Sequence, residues 1–344
     1  MDKLFTLLER LCRCDGPSGS EDAVREMILN AISGYCEATI DRMGNIIAFK
    51  KGKKPARHKV MLDAHMDEVG VIVTGATEAG LLRFELVGGI ETEALACKRV
   101  RFGDIVGVIG MKPIHLSTAK ERETLPARDA LFIDIGAKDC EDALELIPPG
   151  TVGTFASDFE KLSEDTFRAK AVDDRVGCAA LITLLQKESE YDFYATFTVG
   201  EELGCRGAKT AAFAVAPEFA IVLEAATAAD LHGTPEDRSV CQVMKGAVVS
   251  FMDRTTQYDR ALFELALQTA KEENIPVQTK RAVAGGNNAG AISLSKTGVR
   301  TVAVSLPCRY IHSSHSVAAF RDVQAVADLA GALCKRLAAG ESFA

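Results

Sequence analysis

From Lys170 onward, apolar runs of strand length alternate with segments of helical period, and this alternation narrows the fold more than any other feature of the chain. The pattern predicts strands over 193–199, 219–223 and 301–305. It predicts helices over 176–186, after Gly207, over 261–273 and after Val323. Strands that alternate with helices form a largely parallel sheet covered by helices. Upstream, Leu4, Phe5, Leu7, Leu8 and Leu11 share a helical face within 1–12, and Ser18 with Glu21 has the spacing of a capping box opening a second helix through Ile28. Strands are predicted over 45–49 and 60–64.

Between about Val71 and Glu164 the texture changes. Short β-like runs (71–73, 81–87, 105–109, 131–135) are separated by glycines and turns, with little helical period. The predicted class is therefore α/β: a helix-covered mixed sheet with an inserted small β-barrel-like domain. The catalytic domain is discontinuous, 1–69 and 165–344, and the insertion is 70–164.

Composition excludes several classes. Forty basic against 48 acidic residues, a net charge of −8, disfavour a nucleic-acid surface, and the short Lys50 to Lys54 stretch reads as a solvated loop. No apolar run approaches the ~20 residues of a membrane span, and the amino terminus, with Asp2 and Glu9, is unlike a signal peptide. Ten scattered cysteines without a C-x-x-C pair fit reduced thiols, the neighbours Cys12 and Cys14 included, and a cytosolic address.

Chemistry-bearing residues cluster where these strands end. His65 follows 60–64, Glu201 and Glu202 follow 193–199, Glu224 follows 219–223, and His312 lies just beyond 301–305. In open α/β sheets, ligands bind at the carboxyl edge. Asp173, in Val172-Asp-Asp-Arg-Val-Gly177, opens a helix that meets the same edge. A lone histidine is commonly structural, and Asp173-Asp174 alone could be a helix N-terminal pair. Glu201, Glu202 and Glu224, directly after apolar strands, incur desolvation unless a cation compensates. Mixed nitrogen and oxygen donors suit a pair of zinc, cobalt or manganese ions better than calcium or magnesium, and Asp173 is placed as the bridging carboxylate.

Four ordered motifs, Ala64-His-Met-Asp-Glu-Val-Gly70, Val172-Asp-Asp-Arg-Val-Gly177, Val199-Gly-Glu-Glu-Leu-Gly-Cys-Arg-Gly-Ala208 and Pro307-Cys-Arg-Tyr-Ile-His-Ser313, resemble the M42 metallopeptidases, the glutamyl and tetrahedral (TET) aminopeptidase group, some of whose members carry an endoglucanase label. The likeness extends to Pro17-Ser-Gly-Ser-Glu21 and to Gly107-Val-Ile-Gly-Met-Lys-Pro-Ile-His115. It implies an aminopeptidase trimming short peptides through a water between two divalent metal ions per subunit. His65, Asp173 and Glu224 would hold one ion, and Asp173, Glu202 and His312 the other. Glu201 would be the general base, and Asp67 would orient His65. His312 is preferred to His315, and His115 is read as a structural residue of the insertion. The resemblance also implies a homo-oligomer, from dimer to dodecamer, built through the inserted domain. Two departures stand out: Glu224 replaces the family's usual aspartate, and Gly285-Gly-Asn-Asn-Ala-Gly290 replaces Gly-Gly-Thr-Asp-Ala, so Asn288 lacks a charge. A related hydrolase of N-acyl amides and a catalytically impaired binding homologue remain alternatives; a glycosidase ranks last, because that chemistry uses paired carboxylates without histidine-bound metals.

Overall fold

The computed structural model describes residues 3–235 and 238–341; residues 1 and 2, where the first predicted helix begins, and 342–344 lie outside the described residues. α1 (Lys3–Arg13) buries Leu4, Leu7, Leu8 and Leu11, and α2 (Asp22–Ile32) buries Val24, Ile28 and Ile32. The predicted capping box does not form. Glu21 stands at the N-cap without a side-chain cap, and its carboxylate instead accepts from Gly19 N (2.9 Å) and Gly200 N (3.2 Å). Ser18 Oγ donates to Asp67 Oδ2 at 2.5 Å. Buried groups of the site thus recruit both side chains.

After β1 (Glu37–Ile40) and β2 (Ile46–Lys50), β3 (Val60–His65) runs to the site and leads directly into a closed antiparallel barrel. Its strands are β4 (Gly70–Ala76), β5 (Leu82–Val87), β6 (Arg99–Phe102), β7 (Ile105–Gly110), β8 (Phe132–Asp134) and β9 (Val152–Phe155), with the short helices α3 (Ala119–Arg122) and α4 (Cys140–Leu146) between them. Val71, Phe84, Val100, Ile109, Ile133 and Phe155 fill the barrel, joined by Ala143 and Ile147.

The chain returns through β10 (Glu160–Lys161) and β11 (Thr166–Ala169) to α5 (Val172–Gln186), β12 (Phe193–Thr198), α6 (Arg206–Val215), β13 (Phe219–Thr227) and β14 (Ala247–Val249). It closes with α7 (Arg260–Glu272), β15 (Val277–Thr279), α8 (Asn288–Ser293), β16 (Arg300–Cys308), β17 (Ser316–Ala319) and α9 (Phe320–Ala339). The main sheet is mixed, in the order β1-β2-β12-β3-β13-β16-β14-β15, with β12, β3, β13 and β16 parallel. The helix-covered sheet and the barrel agree with the predicted class.

Alternation along the strands assigns the two sheet faces. Val60, Leu62, Ala64, Phe219, Ile221 and Leu223 pack into the large core containing α1, α2, α5 and α9. Met61, Ala220 and Val222 pack against Ala208 and Ala212 of α6 and Ala289 and Ile292 of α8. His65 and Glu224 continue that second parity. Strand ends shift slightly from expectation: Glu224 lies within β13 rather than past its end, and β14, β15, β17 and α8 carry no periodic signal of their own. No helix among the described residues is long and apolar enough to cross a membrane.

Glu68 joins barrel to sheet. Its buried carboxylate accepts from Lys170 Nζ (2.6 and 2.9 Å), Gly16 N (3.1 Å) and Thr154 Oγ1 of β9 (2.7 Å), with Arg175 Nη2 at 3.4 Å. Removing one partner of a buried ion cluster leaves charge uncompensated. Glu68→Ala is expected to lower unfolding free energy by roughly 3–5 kcal/mol in a denaturant titration, far more than a surface substitution.

Candidate active site

Register brings the first ligands together. Val222 of β13 pairs with Asp63 of β3, so two residues further on Glu224 comes beside His65, and Glu224 Oε1 lies 3.5 Å from His65 Nε2. On the other side Thr198 of β12 pairs with His65, and the chain beyond it carries Glu201 and Glu202. Asp67 fixes that turn: its Oδ1 accepts from Glu201 N (3.0 Å) and its Oδ2 from Glu202 N (3.1 Å). Asp173 and Asp174 have non-helical torsions within the first turn of α5, and the peptide bond between them is cis. His312 sits between β16 and β17 with φ +60, a conformation uncommon for a side chain of its size.

The donor atoms converge. Asp173 Oδ1 is 3.3 Å from His65 Nε2, and Asp173 Oδ2 is 3.3 Å from His312 Nε2, so one carboxylate faces both imidazoles. Glu202 Oε1 lies 3.0 Å from His312 Nε2. Each histidine has its Nδ1 on a backbone carbonyl, Asp67 O at 3.0 Å for His65 and Gly89 O at 2.7 Å for His312. An Nδ1–H held by a carbonyl leaves Nε2 as the inward lone pair, the usual arrangement of a ligating imidazole. Asp67 also approaches His65 Nδ1 with its carboxylate, at 3.4 Å, but its carbonyl is the nearer acceptor and its carboxylate mainly anchors Ser18 and the 201–202 turn.

All five predicted ligands and Glu201 line one cavity or its immediate wall. Two donor groups compatible with an ion are His65, Asp173 and Glu202, and His65, Asp174 and Glu224. Asp174 was not singled out from the sequence. Its oxygens accept from His65 N (3.2 Å) and Gly177 N (3.0 Å), so it braces the end of β3. His315 is elsewhere, with Nδ1 near Ser157 Oγ and Arg168 Nη1, and His115 is exposed on a turn of the barrel domain.

The electrostatics of this cluster are those of a cation site. Burial opposes protonation of His65, but Glu224, Asp173 and Asp67 hold its pKa well above the usual value. Burial likewise opposes charge on His312, yet Asp173 and Glu202 raise it to about 11. Burial pushes Glu201 up to about 7, aided by Glu202, Asp173 and Asp67, and pushes Glu202 and Glu224 upward. Among the described residues, the ion pairs of Asp173, Glu202 and Glu224 are made with these two histidines. Two imidazoles and three carboxylates, Glu224 buried and Asp173 and Glu202 partly so, therefore fit divalent first-row ions, whose charge relieves the repulsion.

The sequence profile of the M42 glutamyl aminopeptidases matches residues 44–329. The chain belongs to this family, and it is an aminopeptidase. It is 34% identical over 346 residues to the lysyl aminopeptidase of Pyrococcus furiosus, covering 97% of each chain. Its fold superposes with a TM-score of 0.93 on the aminopeptidase APDkam598 of the archaeon Desulfurococcus kamchatkensis, at 30% identity, covering 98% of this chain and 96% of that one. The TET1 peptidase of Pyrococcus horikoshii, which can assemble into a tetrahedron or a large octahedral shell, gives a TM-score of 0.85 at 30% identity, covering 96% and 99%.

In this M42 chain the donor cluster opens into a cavity of about 390 Å³, within the size range of small-ligand sites. Beyond the cluster, its wall contains Cys205, Val240, Ser250, Thr255, Lys280 and residues 284–287. Cys205 Sγ lies 3.4 Å from Glu201 Oε1, and Lys280 Nζ donates to Ala284 O at 2.6 Å. Neither residue carried a sequence signal, because each acquires its place only by packing.

The neighbouring carboxylates raise the pKa of both histidines, so protons compete with a metal ion for their Nε2 atoms. Ion binding must displace those protons, so affinity is expected to rise with pH. Calorimetric titration with Co²⁺ or Zn²⁺ between about pH 6 and 8 should show tighter binding at the higher pH, with a buffer-dependent heat from proton release. Affinity independent of pH would contradict the assignment.

Proposed function

We propose that this aminopeptidase removes residues from the amino terminus of short peptides with two divalent ions, zinc or cobalt first and manganese as a further possibility. The observation that carries this reading is the Asp173 carboxylate, with one oxygen toward His65 and the other toward His312. His65, Asp173 and Glu224 would hold one ion, and Asp173, Glu202 and His312 the other. Glu224 reaches His65 to 3.5 Å despite replacing the family's shorter aspartate, which supports its place in the set.

When bound, the ions supply Lewis acidity toward water and toward the scissile carbonyl. Glu201 receives the proton of the attacking water and returns it to the departing amine. Its raised pKa of about 7 suits both transfers, because a base near the working pH can accept and release a proton. Asp67, through Glu201 N, holds the base in position.

Substrate preference follows from the cavity wall. Its carboxylates attract a free α-amine, and Lys280 brings an ammonium into the same wall, with burial pushing its pKa down. A partly desolvated cation is best satisfied by a carboxylate, so we read the cavity as favouring an acidic amino-terminal residue. That agrees with the family's glutamyl description and differs from the lysyl preference in the Pyrococcus furiosus relative's name.

We further propose that 1–69 with 165–344 forms the catalytic domain and 70–164 the assembly domain of a homo-oligomer between dimer and dodecamer. Ile114, Leu116 and Leu125, exposed on the barrel excursion, support that role, as does the assembly recorded for the horikoshii TET1. The unpaired state of every cysteine supports a cytosolic address.

Metal-loaded enzyme is expected to cleave glutamyl and aspartyl anilides faster than lysyl anilide and to spare N-blocked analogues. Lys280→Met should erase the acidic preference by roughly tenfold or more in kcat/KM, the worth of a hydrogen bond to a charged group. Glu201→Gln should abolish turnover while bound metal, measured by elemental analysis, is unchanged. Cleavage of blocked substrates would favour the N-acyl amide reading instead.

A further inference from the structure

Asp63 lies one pleat before His65 on the same face of β3 and is fully buried. Its Oδ1 accepts from Thr196 Oγ1 at 2.5 Å and its Oδ2 from Asn288 Nδ2 at 2.8 Å. The same Nδ2 donates to Thr198 Oγ1, also at 2.8 Å, and Thr198 is the register partner of His65. One amide of α8 is thereby tied to β3 and β12, two of the strands that carry the site.

The residues just before it, Gly285, Gly286 and Asn287, line the cavity. Glycines on either side of Asn288 pack against Thr255. A Cβ on Gly286 would lie 2.6 Å from Thr255, and one on Gly290 2.8 Å from it. Asn287 Nδ2 donates to Tyr258 Oη at 3.0 Å, and Tyr258 Oη donates to Asp253 at 2.5 Å. The cavity wall thus hangs from two anchors, Tyr258 on one side and the Asp63 carboxylate on the other.

The choice of an amide at 288 is chemically constrained. Asn288 Oδ1 is buried with no hydrogen-bond partner among the described residues, so the residue is kept for its two N–H groups rather than for its carbonyl. An ionised carboxylate at 63 only accepts, and its neighbour must donate. A second carboxylate at 288 could pair with Asp63 only if one of the two took up a proton, and an apolar side chain would leave the Asp63 oxygen unpaired.

We propose that Asp63 and Asn288 form a positioning strut that sets the 284–287 wall at a defined distance from His65, and that substrate affinity depends on one carboxylate facing one amide there. This rests on the cavity being the aminopeptidase site. The strut requires opposite partners but not a particular order. With D63N and N288D combined, the amide now on β3 would donate to the carboxylate now on α8. Thr196 would donate to the amide oxygen and Thr198 to the carboxylate, so the strut keeps its donor–acceptor pair, with the second carboxylate oxygen in the unpartnered place of Asn288 Oδ1.

The test compares Asn288→Asp, Asp63→Asn and the double exchange in metal-loaded protein. Asn288→Asp is expected to raise KM for a glutamyl anilide roughly tenfold or more, with metal content unchanged, and the double exchange to return KM to within roughly threefold of the parent. Calorimetric affinity for free glutamate should follow the same order, which reads the strut without turnover. A purely structural role would instead lower Tm in the single variants and leave KM and glutamate affinity unmoved. That result, or an exchange no better than Asn288→Asp alone, overturns the proposal. Absence of anilide cleavage by the parent protein would overturn the functional reading instead, leaving the strut to be judged by the glutamate and melting data, with Asp63→Asn as the isosteric variant that retains the fold.

Discussion

The structure depends on how the end of β3 disposes of two adjacent buried carboxylates. Asp67 and Glu68 leave the strand in different directions, and each is surrounded by donors from segments far away in the chain. Asp67 gathers Ser18, Glu201 N and Glu202 N, so the loop after β12 is held against β3. Glu68 gathers Lys170, Gly16 N and Thr154, with Arg175 close by, which joins barrel, amino-terminal segment and α5. An unpaired carboxylate in such surroundings is costly, so the partners must be present for the strand to end where it does.

The cluster of the candidate site follows from the same constraint taken one step further. Asp67 and Glu68 are satisfied by protein donors. Among the described residues, the ion pairs of Asp173, Glu202 and Glu224 are made with two imidazoles, and burial keeps Glu202 and Glu224 raised. More carboxylates than imidazoles therefore meet at one point, where the inward Nε2 of each histidine can exchange its proton for a metal ion. The imbalance makes the place receptive to cations and also keeps Glu201 near a pKa of about 7. Stability is given up locally for a site that a metal completes, and the surrounding strands, buried on both faces, hold the cluster in place.

Neighbouring polar groups compete for the same partners, and this explains where local sequence rules fail. Ser18 and Glu21 have the spacing of a reciprocal helix cap, but Asp67 and Gly200 N lie within reach and are buried, so they capture both side chains. Asn288, where the family resemblance implies aspartate, donates to Asp63, a buried carboxylate on β3. Both cases involve residues remote in sequence and adjacent in space.

The sequence by itself determined the layer architecture and marked candidate residues that the fold brings together. Hydrophobic period is a local property, set by burial on one face of a helix or both faces of a strand, and it survives without knowledge of partners. His65, Glu201, Glu202 and Glu224 were visible for the same reason: a charged residue directly after or within an apolar strand is anomalous on its own. Only the tertiary structure decided which strand lies beside which, and hence that Glu224 meets His65 through the Val222 to Asp63 register. It likewise decided the places of Asp174, Cys205, Lys280 and Asn288, and the short strands Ala247–Val249 and Val277–Thr279 at the sheet's edge. These depend on contacts between segments distant in the chain or on strands too short to show a period, and no local pattern encodes such contacts.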